Sequence, residues 1–358
     1  MPTDARAGGA APASTAAADL TIRPATEADT EEIIQLVRMS LGEYWNVALK
    51  LPFDIHYWSW KHLDNAFGAS ACLVAEAGGK IVGVRVFMRW EWQLGGERVR
   101  AVRALDTATH PEWRGKGIFS RLTLALVEEM KQEGVSFVFN TPNDLSRPGY
   151  LKMGWSAMGR VSLWIRPQRP VRILRSLLSK SAPAPTASEA PGGTRMADLF
   201  RDPKLDGFLQ SLGEGKGKLR TPRTREYLQW RYRDIPGGIY DAAWDFDGSA
   251  GALAIFRRKN RKGFSELRFC EILVGPGSGS ARRARALLRG LMPDAGVDYV
   301  SAMAGSAREQ RLLLSAGFLP APRLGPILTV RPLNALPDGV DPLDRSSWRF
   351  SLGDLELF

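Results

Sequence analysis

The chain has 358 residues, 44% of them hydrophobic, and a net charge of +11. That length suits about two domains with a core each, and the charge points to anionic partners. Three histidines and two cysteines, Cys72 and Cys270, argue against a zinc cluster or a disulfide framework, and no run is apolar and long enough to span a bilayer or act as a secretory core segment.

In chain order, residues 1–19 are rich in Ala, Gly, Thr and Pro and read as a disordered tail. Ile22 to Asp29 follows as a strand and a helix start, with Thr26 or Asp29 as N-cap before the apolar run Ile33, Ile34, Leu36 and Val37. Tyr57-Trp58-Ser59-Trp60-Lys61 lies in an aromatic helix, and the flanking His56 and His62 read as structural. Cys72–Glu76 and Lys80–Val86 flank Ala77-Gly78-Gly79 and predict a hairpin with a glycine turn. Trp90 and Trp92 continue as core aromatics.

A strand from Val102 to Thr109 then carries Asp106. A carboxylate in an apolar strand is costly to bury, so it needs a partner or a task. Two readings stand side by side: a general base, or an ion pair with Arg103 or Arg85. The strand runs into Thr109-His110-Pro111-Glu112-Trp113-Arg114-Gly115-Lys116-Gly117-Ile118-Phe119, ahead of an amphipathic helix from Ile118 to about Glu133. Such a turn is an anion cradle. Helix-start amides lack intrahelical partners, and the helix dipole favours negative charge there. Gly115 and Gly117 let backbone approach a ligand, and Arg114 and Lys116 add positive charge. No Gly-Lys-Ser/Thr follows as in a P-loop, and the third glycine of a dinucleotide fingerprint is missing.

The turn does match Arg/Gln-x-x-Gly-x-Gly/Ala after Val-x-Pro, and in this it resembles the GNAT acyltransferases. Phe119 departs from that pattern, which has Gly or Ala there, and is expected to narrow the site or shift the helix. The strand Val135–Phe139, Asn143, and Tyr150-Leu151-Lys152-Met153-Gly154-Trp155 continue the resemblance, which covers about Leu20 to Pro167. It implies acyl-CoA bound at Thr107, Ala108, Thr109, Arg114, Gly115, Lys116, Gly117, Ile118 and Asn143. The strand would pair with the pantetheine arm, and Asn143 would cap a helix or bind pantetheine. Tyr150 would be the general acid at the thiolate, and Asp106 the candidate base. Acetyl-CoA or another acyl-CoA is the implied co-substrate, with no metal.

The chain also repeats itself. Tyr57-Trp58-Ser59-Trp60-Lys61 returns as Tyr227-Leu228-Gln229-Trp230-Arg231, Met153-Gly154-Trp155 as Ala316-Gly317-Phe318, and Leu163–Pro167 as Leu328–Pro332. The second copy lacks the chemistry: Leu313 stands for Tyr150 and Ser306 for Asn143. An offset of 165 sets Gly279, Ser280 and Arg282 against Arg114, Gly115 and Gly117, and Glu271 against Asp106. Carboxylates at one position in both copies favour a shared structural need.

The sequence therefore predicts a mixed α/β, α+β chain of two GNAT-like domains, each a mostly antiparallel sheet flanked by helices. The expected divisions are a tail (1–19), an acyl-CoA-binding domain (20–167), a linker (168–195), a degenerate copy (196–332) and a C-terminal extension (333–358). The extension alternates polar and apolar residues, as an edge strand would, and its terminal carboxylate on Phe358 is a remote candidate base. The expected activity is transfer of an acetyl or other short acyl group from CoA to an amine, in the cytoplasm. A non-catalytic acyl-CoA sensor or scaffold is the alternative. The acceptor is expected to be a small-molecule amine, with the basic clusters in the second copy pointing to an anionic one. Nucleic acid is disfavoured, because no helix-turn-helix or finger pattern accompanies the charge.

Overall fold

The computed structural model describes residues 20–41, 53–179, 194–213, 217–261, 263–293 and 296–355. The expected tail, the body of the expected linker and Phe358 lie outside them.

Strand β1 (Thr21–Pro24) passes through a short turn into helix α1 (Thr30–Leu41). Both cap candidates act together there: Asp29 Oδ2 accepts from the Thr26 amide at 2.7 Å and from its hydroxyl at 2.9 Å. Helix α2 (Ile55–His62) is capped by Asp54, which accepts from the Tyr57 amide at 3.0 Å. Strands β2 (Ala71–Ala77), β3 (Lys80–Leu94) and β4 (Glu97–Thr109) form a meander. Then come α3 (Ile118–Gln132), β5 (Phe137–Asn140), α4 (Arg147–Lys152), β6 (Ser156–Arg160), β7 (Leu163–Pro167) and α5 (Pro170–Ser179).

The second half opens with α6 (Thr194–Arg201), α7 (Leu205–Ser211) and α8 (Arg225–Leu228), which continues as a π-helical turn, Gln229–Arg233. It then repeats the first: β8 (Asp241–Asp247), β9 (Ala250–Arg261), β10 (Phe264–Val274), α9 (Ser280–Leu291), β11 (Tyr299–Ala302), α10 (Ala307–Ser315), β12 (Leu319–Ala321) and β13 (Ile327–Pro332). Helix α11 (Leu352–Leu355) comes last.

The strands build two sheets, ordered β1-β2-β3-β4-β5-β13-β6 and β12-β7-β11-β10-β9-β8. The final strand of each repeat is exchanged. β13 inserts between β5 and β6, with Val330 opposite Phe139 on one side and Ser156 on the other. β7 pairs with β11 and β12 in the second sheet. The divisions expected at 167 and 332 therefore do not separate the sheets, and each is completed by the other half of the chain. The exchange repeats in detail. Arg331 Nη1 donates to the carbonyl of Met153 at the end of α4, and Arg166 Nη1 donates to that of Ala316 at the end of α10. Gly154 and Gly317, at φ 92° and 87°, leave room for those two guanidinium groups.

Between the sheets lies one shared core. Trp60 and Trp230 stack with ring centres 5.6 Å apart, and each indole N–H donates to the other's carbonyl, at 2.7 and 2.8 Å. This reciprocity marks a pseudo-two-fold axis and assigns the repeated tryptophans to the core. The outer faces carry separate cores, under α3 and α4 in the first copy and under α9 and α10 in the second. The C-terminal extension adds no edge strand. Among the described residues its one β-bridge joins Leu219 and Trp348, after which it crosses the shared layer, where Trp348 and Phe350 pack on Trp92.

Candidate active site

The strand-to-helix turn has the geometry an anion needs. Gly115 and Gly117 adopt φ of 77° and 75°, which favours glycine, and nothing lies within 4 Å of where a Cβ would stand on either. Gly117 is the N-cap of the 15-residue α3. Among the described residues, the amides from Gly115 to Ser120 donate to no protein oxygen. Arg114 is exposed, its Nε 3.4 Å from the Thr109 carbonyl, and Lys116 Nζ lies 4.2 Å over the Trp113 ring. Ile118 is buried and locks α3 onto β3; a Cβ on Gly83 would meet its Cγ2 at 2.6 Å.

Phe119 does not block this turn. Its ring points along the gap between α3 and α4, 3.2 Å from where a Cβ on Gly149 would stand, and meets the Tyr150 ring edge-on at 5.6 Å. The expected narrowing falls on the gap and not on the cradle.

Next to the turn the sheet splays. β4 and β5 pair in parallel only from Ala101–Phe137 to Arg103–Phe139, after which β5 ends at Asn140 while β4 runs on to Thr109. The edge of β4 that includes Thr107, Ala108 and Thr109 therefore faces an opening that an extended ligand can line. A bulge sits there: Val84 pairs with Ala108 but Val86 pairs with Leu105. Tyr150, on α4, is 3% exposed, and its hydroxyl bonds to no protein atom among the described residues. Asn143 caps the α4 region, its Oδ1 accepting from the amides of Leu145 and Ser146 at 3.1 and 2.9 Å.

Asp106 lies in the bulge at φ 39°, on the sheet face away from the cradle. Its partner is neither Arg103 nor Arg85. Lys61 Nζ lies 2.5 Å from Oδ2, and His62 Nε2 lies 2.9 Å from the same atom. Burial pushes the carboxyl up, but the Lys61 charge and then the His62 contact more than reverse this and hold it below the usual carboxylate range. Burial holds His62 below its ordinary value against the pull of the Asp106 carboxylate, and its Nδ1 lies 3.0 Å from Ser70 Oγ. An aromatic helix read as packing thus supplies the counter-ion of the most conspicuous carboxylate. Arg103 instead donates to the carbonyls of Asp354 and Leu355, at 2.7 and 2.8 Å.

The second copy shows the same parts closed. Gly279 is the N-cap of α9 at φ 80°, so it aligns with Gly117 and the offset at the cradle is 279 − 117 = 162 rather than 165. Both glycines survive, as Gly277 and Gly279, while Pro276 and Ser278 replace Arg114 and Lys116. The turn is filled by the β8–β9 hairpin: Gly277 donates to the Ser249 carbonyl at 3.4 Å, and a Cβ on it would meet Ala250 at 3.0 Å. The splay between β10 and β11 is crossed by residues 349–353, and a Cβ on Gly353 would lie 1.9 Å from Tyr232 Oη. Glu271 does for this copy what Asp106 does for the first. It accepts from Tyr232 at 2.7 Å and from Arg223 at 3.0 Å, tying the bulge strand to the aromatic helix.

These features agree with the comparisons. The sequence model of the acetyltransferase (GNAT) domain matches residues 21–158. No curated relative matches the chain by sequence. Among solved structures, a GCN5-related N-acetyltransferase from Anabaena variabilis is similar at 16% identity with a TM-score of 0.58, over 88% of this chain and 73% of that one. Eis1 from Mycobacterium abscessus is similar at 14% identity with a TM-score of 0.53, over 93% and 83%. The Saccharomyces cerevisiae N-myristoyltransferase with bound myristoyl-CoA and inhibitors is similar at 12% identity with a TM-score of 0.52, over 95% and 86%. Identities this low establish a shared fold. Among the described residues, no group of three or more metal-ligating side chains is assembled, and no helix is long and apolar enough to cross a membrane.

Proposed function

We propose that the chain, whose residues 21–158 match the acetyltransferase (GNAT) domain model, transfers an acetyl or other short acyl group from CoA to an amine, directly and within a ternary complex. One contrast carries this reading. The first copy keeps a helix-capping glycine turn with unbonded amides beside Tyr150, while the second fills the equivalent turn with its own hairpin.

The amides of Gly115 to Ser120, with Arg114 and Lys116, hold the CoA diphosphate. The open edge of β4 at Thr107 to Thr109 pairs with the pantetheine arm. The Tyr150 hydroxyl donates to the departing thiolate. Asp106 is an anchor in this scheme. Held ionised by Lys61 and His62, it fixes the bulge and takes no proton near neutral pH. The amine therefore reacts in its neutral form, and turnover rises with pH toward the acceptor's own pKa, about 10.4 for a lysine-like amine. The net charge of +11 favours an anionic acceptor, steered in at low salt.

Titration calorimetry with CoA tests the binding half. Micromolar binding that Arg114→Ala weakens is expected, and no heat from the intact protein would overturn the assignment. Thiol release from acetyl-CoA with pooled amines tests the chemistry. Binding without release would leave an acyl-CoA sensor as the function.

A further inference from the structure

Arg85 plays no part in the scheme above, yet it is a fully buried charge. It is 0% exposed, and Nε, Nη1 and Nη2 all lack a hydrogen-bond partner among the described residues. It lies on β3 opposite the bulge, on the face that carries α3 and α4. The nearby carboxylate, Asp106, is on the other face and engaged with Lys61. Around the guanidinium are three rings, Phe87 at 4.9 Å, Tyr150 at 5.2 Å and Phe119 at 5.5 Å from the guanidinium carbon. Ring faces attract a cation, but they leave its five N–H donors unbonded. A desolvated charge in that state is strongly unfavourable without an anion.

We propose that the missing partner is a carboxylate at the far end of the transferred acyl chain, so that the donor is the CoA thioester of a short dicarboxylic acid. This rests on the acyltransferase reading. Arg85 lies beneath the cradle and beside Tyr150, where that reading puts the thioester. The CoA diphosphate is met by the exposed turn of Gly115 to Gly117, and the Phe119 ring that follows it lies 5.5 Å from the Arg85 guanidinium carbon. A group that reaches Arg85 must come past Tyr150 on a slim chain, and the acyl chain does so. A planar carboxylate accepts two parallel bonds from a guanidinium and neutralises it, which a thioester or amide oxygen cannot do. Phe119 takes on a task in this arrangement. It stands where the family pattern has Gly or Ala, closes the box over Arg85, and must swing aside to admit the chain.

The test compares succinyl-CoA with butyryl-CoA, nearly equal in length but differing in the terminal charge, on the intact full-length protein. Calorimetry gives the two dissociation constants, and thiol release with pooled amines gives kcat/KM. The wild-type protein is expected to favour succinyl-CoA by roughly ten- to a hundredfold. Arg85→Met, matched in size, is expected to bring the ratio near one, and Arg85→Lys to leave part of it. Equal affinity of the wild-type protein for both thioesters overturns the proposal, as does an unchanged ratio in a folded Arg85→Met variant. The wild-type comparison needs no variant, so a misfolded Arg85→Met does not spoil it. If CoA itself fails to bind, the acyltransferase reading falls first. If CoA binds and the thioesters are not distinguished, only the role of Arg85 falls.

Discussion

The buried pair of Lys61 and Asp106 distinguishes an anchor from a base. At a separation of 2.5 Å the attraction is worth about 7 kcal/mol at an effective dielectric of about 20. Desolvation of two ions largely offsets that gain. Asp106→Asn removes the attraction and strands a buried ammonium, so it is expected to cost roughly 3–5 kcal/mol. Adding Lys61→Met removes the stranded charge, and the Asn carbonyl still accepts from His62 Nε2. The double variant should recover to within about 1–2 kcal/mol of wild type. Urea unfolding of the four proteins measures the coupling, and thiol release on the same samples measures function. An anchor predicts that activity returns with stability. Additive stability losses would refute the ion-pair argument. A stable double variant with turnover lowered about a hundredfold or more would restore Asp106 as the base.

Four further outcomes follow from the same structure. Tyr150→Phe keeps the ring that packs on Phe119 and removes only the hydroxyl, so turnover should drop by roughly a hundredfold or more while CoA affinity stays within about threefold; unchanged turnover removes Tyr150 from the mechanism. The logarithm of turnover should rise with pH at a slope near one up to the acceptor's pKa, and a plateau set in the carboxylate or histidine range would reveal a protein base. In the second copy, burial first and then the Asp354 charge raise Glu271 above its ordinary value, even though Arg223 is shared between the two carboxylates. The folded state thus holds that proton more tightly than the unfolded chain. The wild-type protein should gain stability relative to Glu271→Gln as pH falls from 8 to 5; an unchanged difference in Tm would show that Glu271 stays ionised. Separately expressed halves, cut within residues 180–193, should each be unstable and regain structure on mixing, and a soluble, cooperatively folded first half would contradict the strand exchange.

Local pieces of this fold were legible in the sequence because they depend on near neighbours. The glycine hairpin at residues 77–79 and the cradle follow from side-chain periodicity and turn chemistry, and the helix bearing Tyr150 follows from the resemblance to the GNAT pattern. The cradle's offset in the second copy, 162 and not 165, was not legible from the flanking segments, because the loop from Val274 to Ser280 is three residues shorter than that from Thr109 to Ile118. The counter-ion of Asp106 was not legible: Lys61 is 106 − 61 = 45 residues away, in a helix whose aromatics announce packing alone. The strand exchange was not legible either. Leu163–Pro167 and Leu328–Pro332 share the pattern Leu-x-x-Arg-Pro, and each offers the same alternating face to either sheet. The pattern marks the two segments as counterparts; only the path of the chain between them decides which sheet each enters.

That path also explains why a copy without a usable cradle is not dispensable. β13 is the sole link between β5 and β6 in the first sheet, so without it the backbone edge of Phe137–Asn140 stands open to solvent. The loss would reach the chemistry through one residue. Arg331 donates to the Met153 carbonyl at the end of α4, and its guanidinium lies 5.3 Å from the Trp155 ring, so β13 holds the helix that presents Tyr150. Arg331→Ala should therefore cost about 1–2 kcal/mol of stability and lower turnover by more than Arg166→Ala, its counterpart beneath α10, for which the stability cost should be similar. Equal effects on turnover would mean that the two exchanged strands serve packing alone. A larger effect at Arg331 would show that the second half of the chain acts in catalysis through the strand it lends.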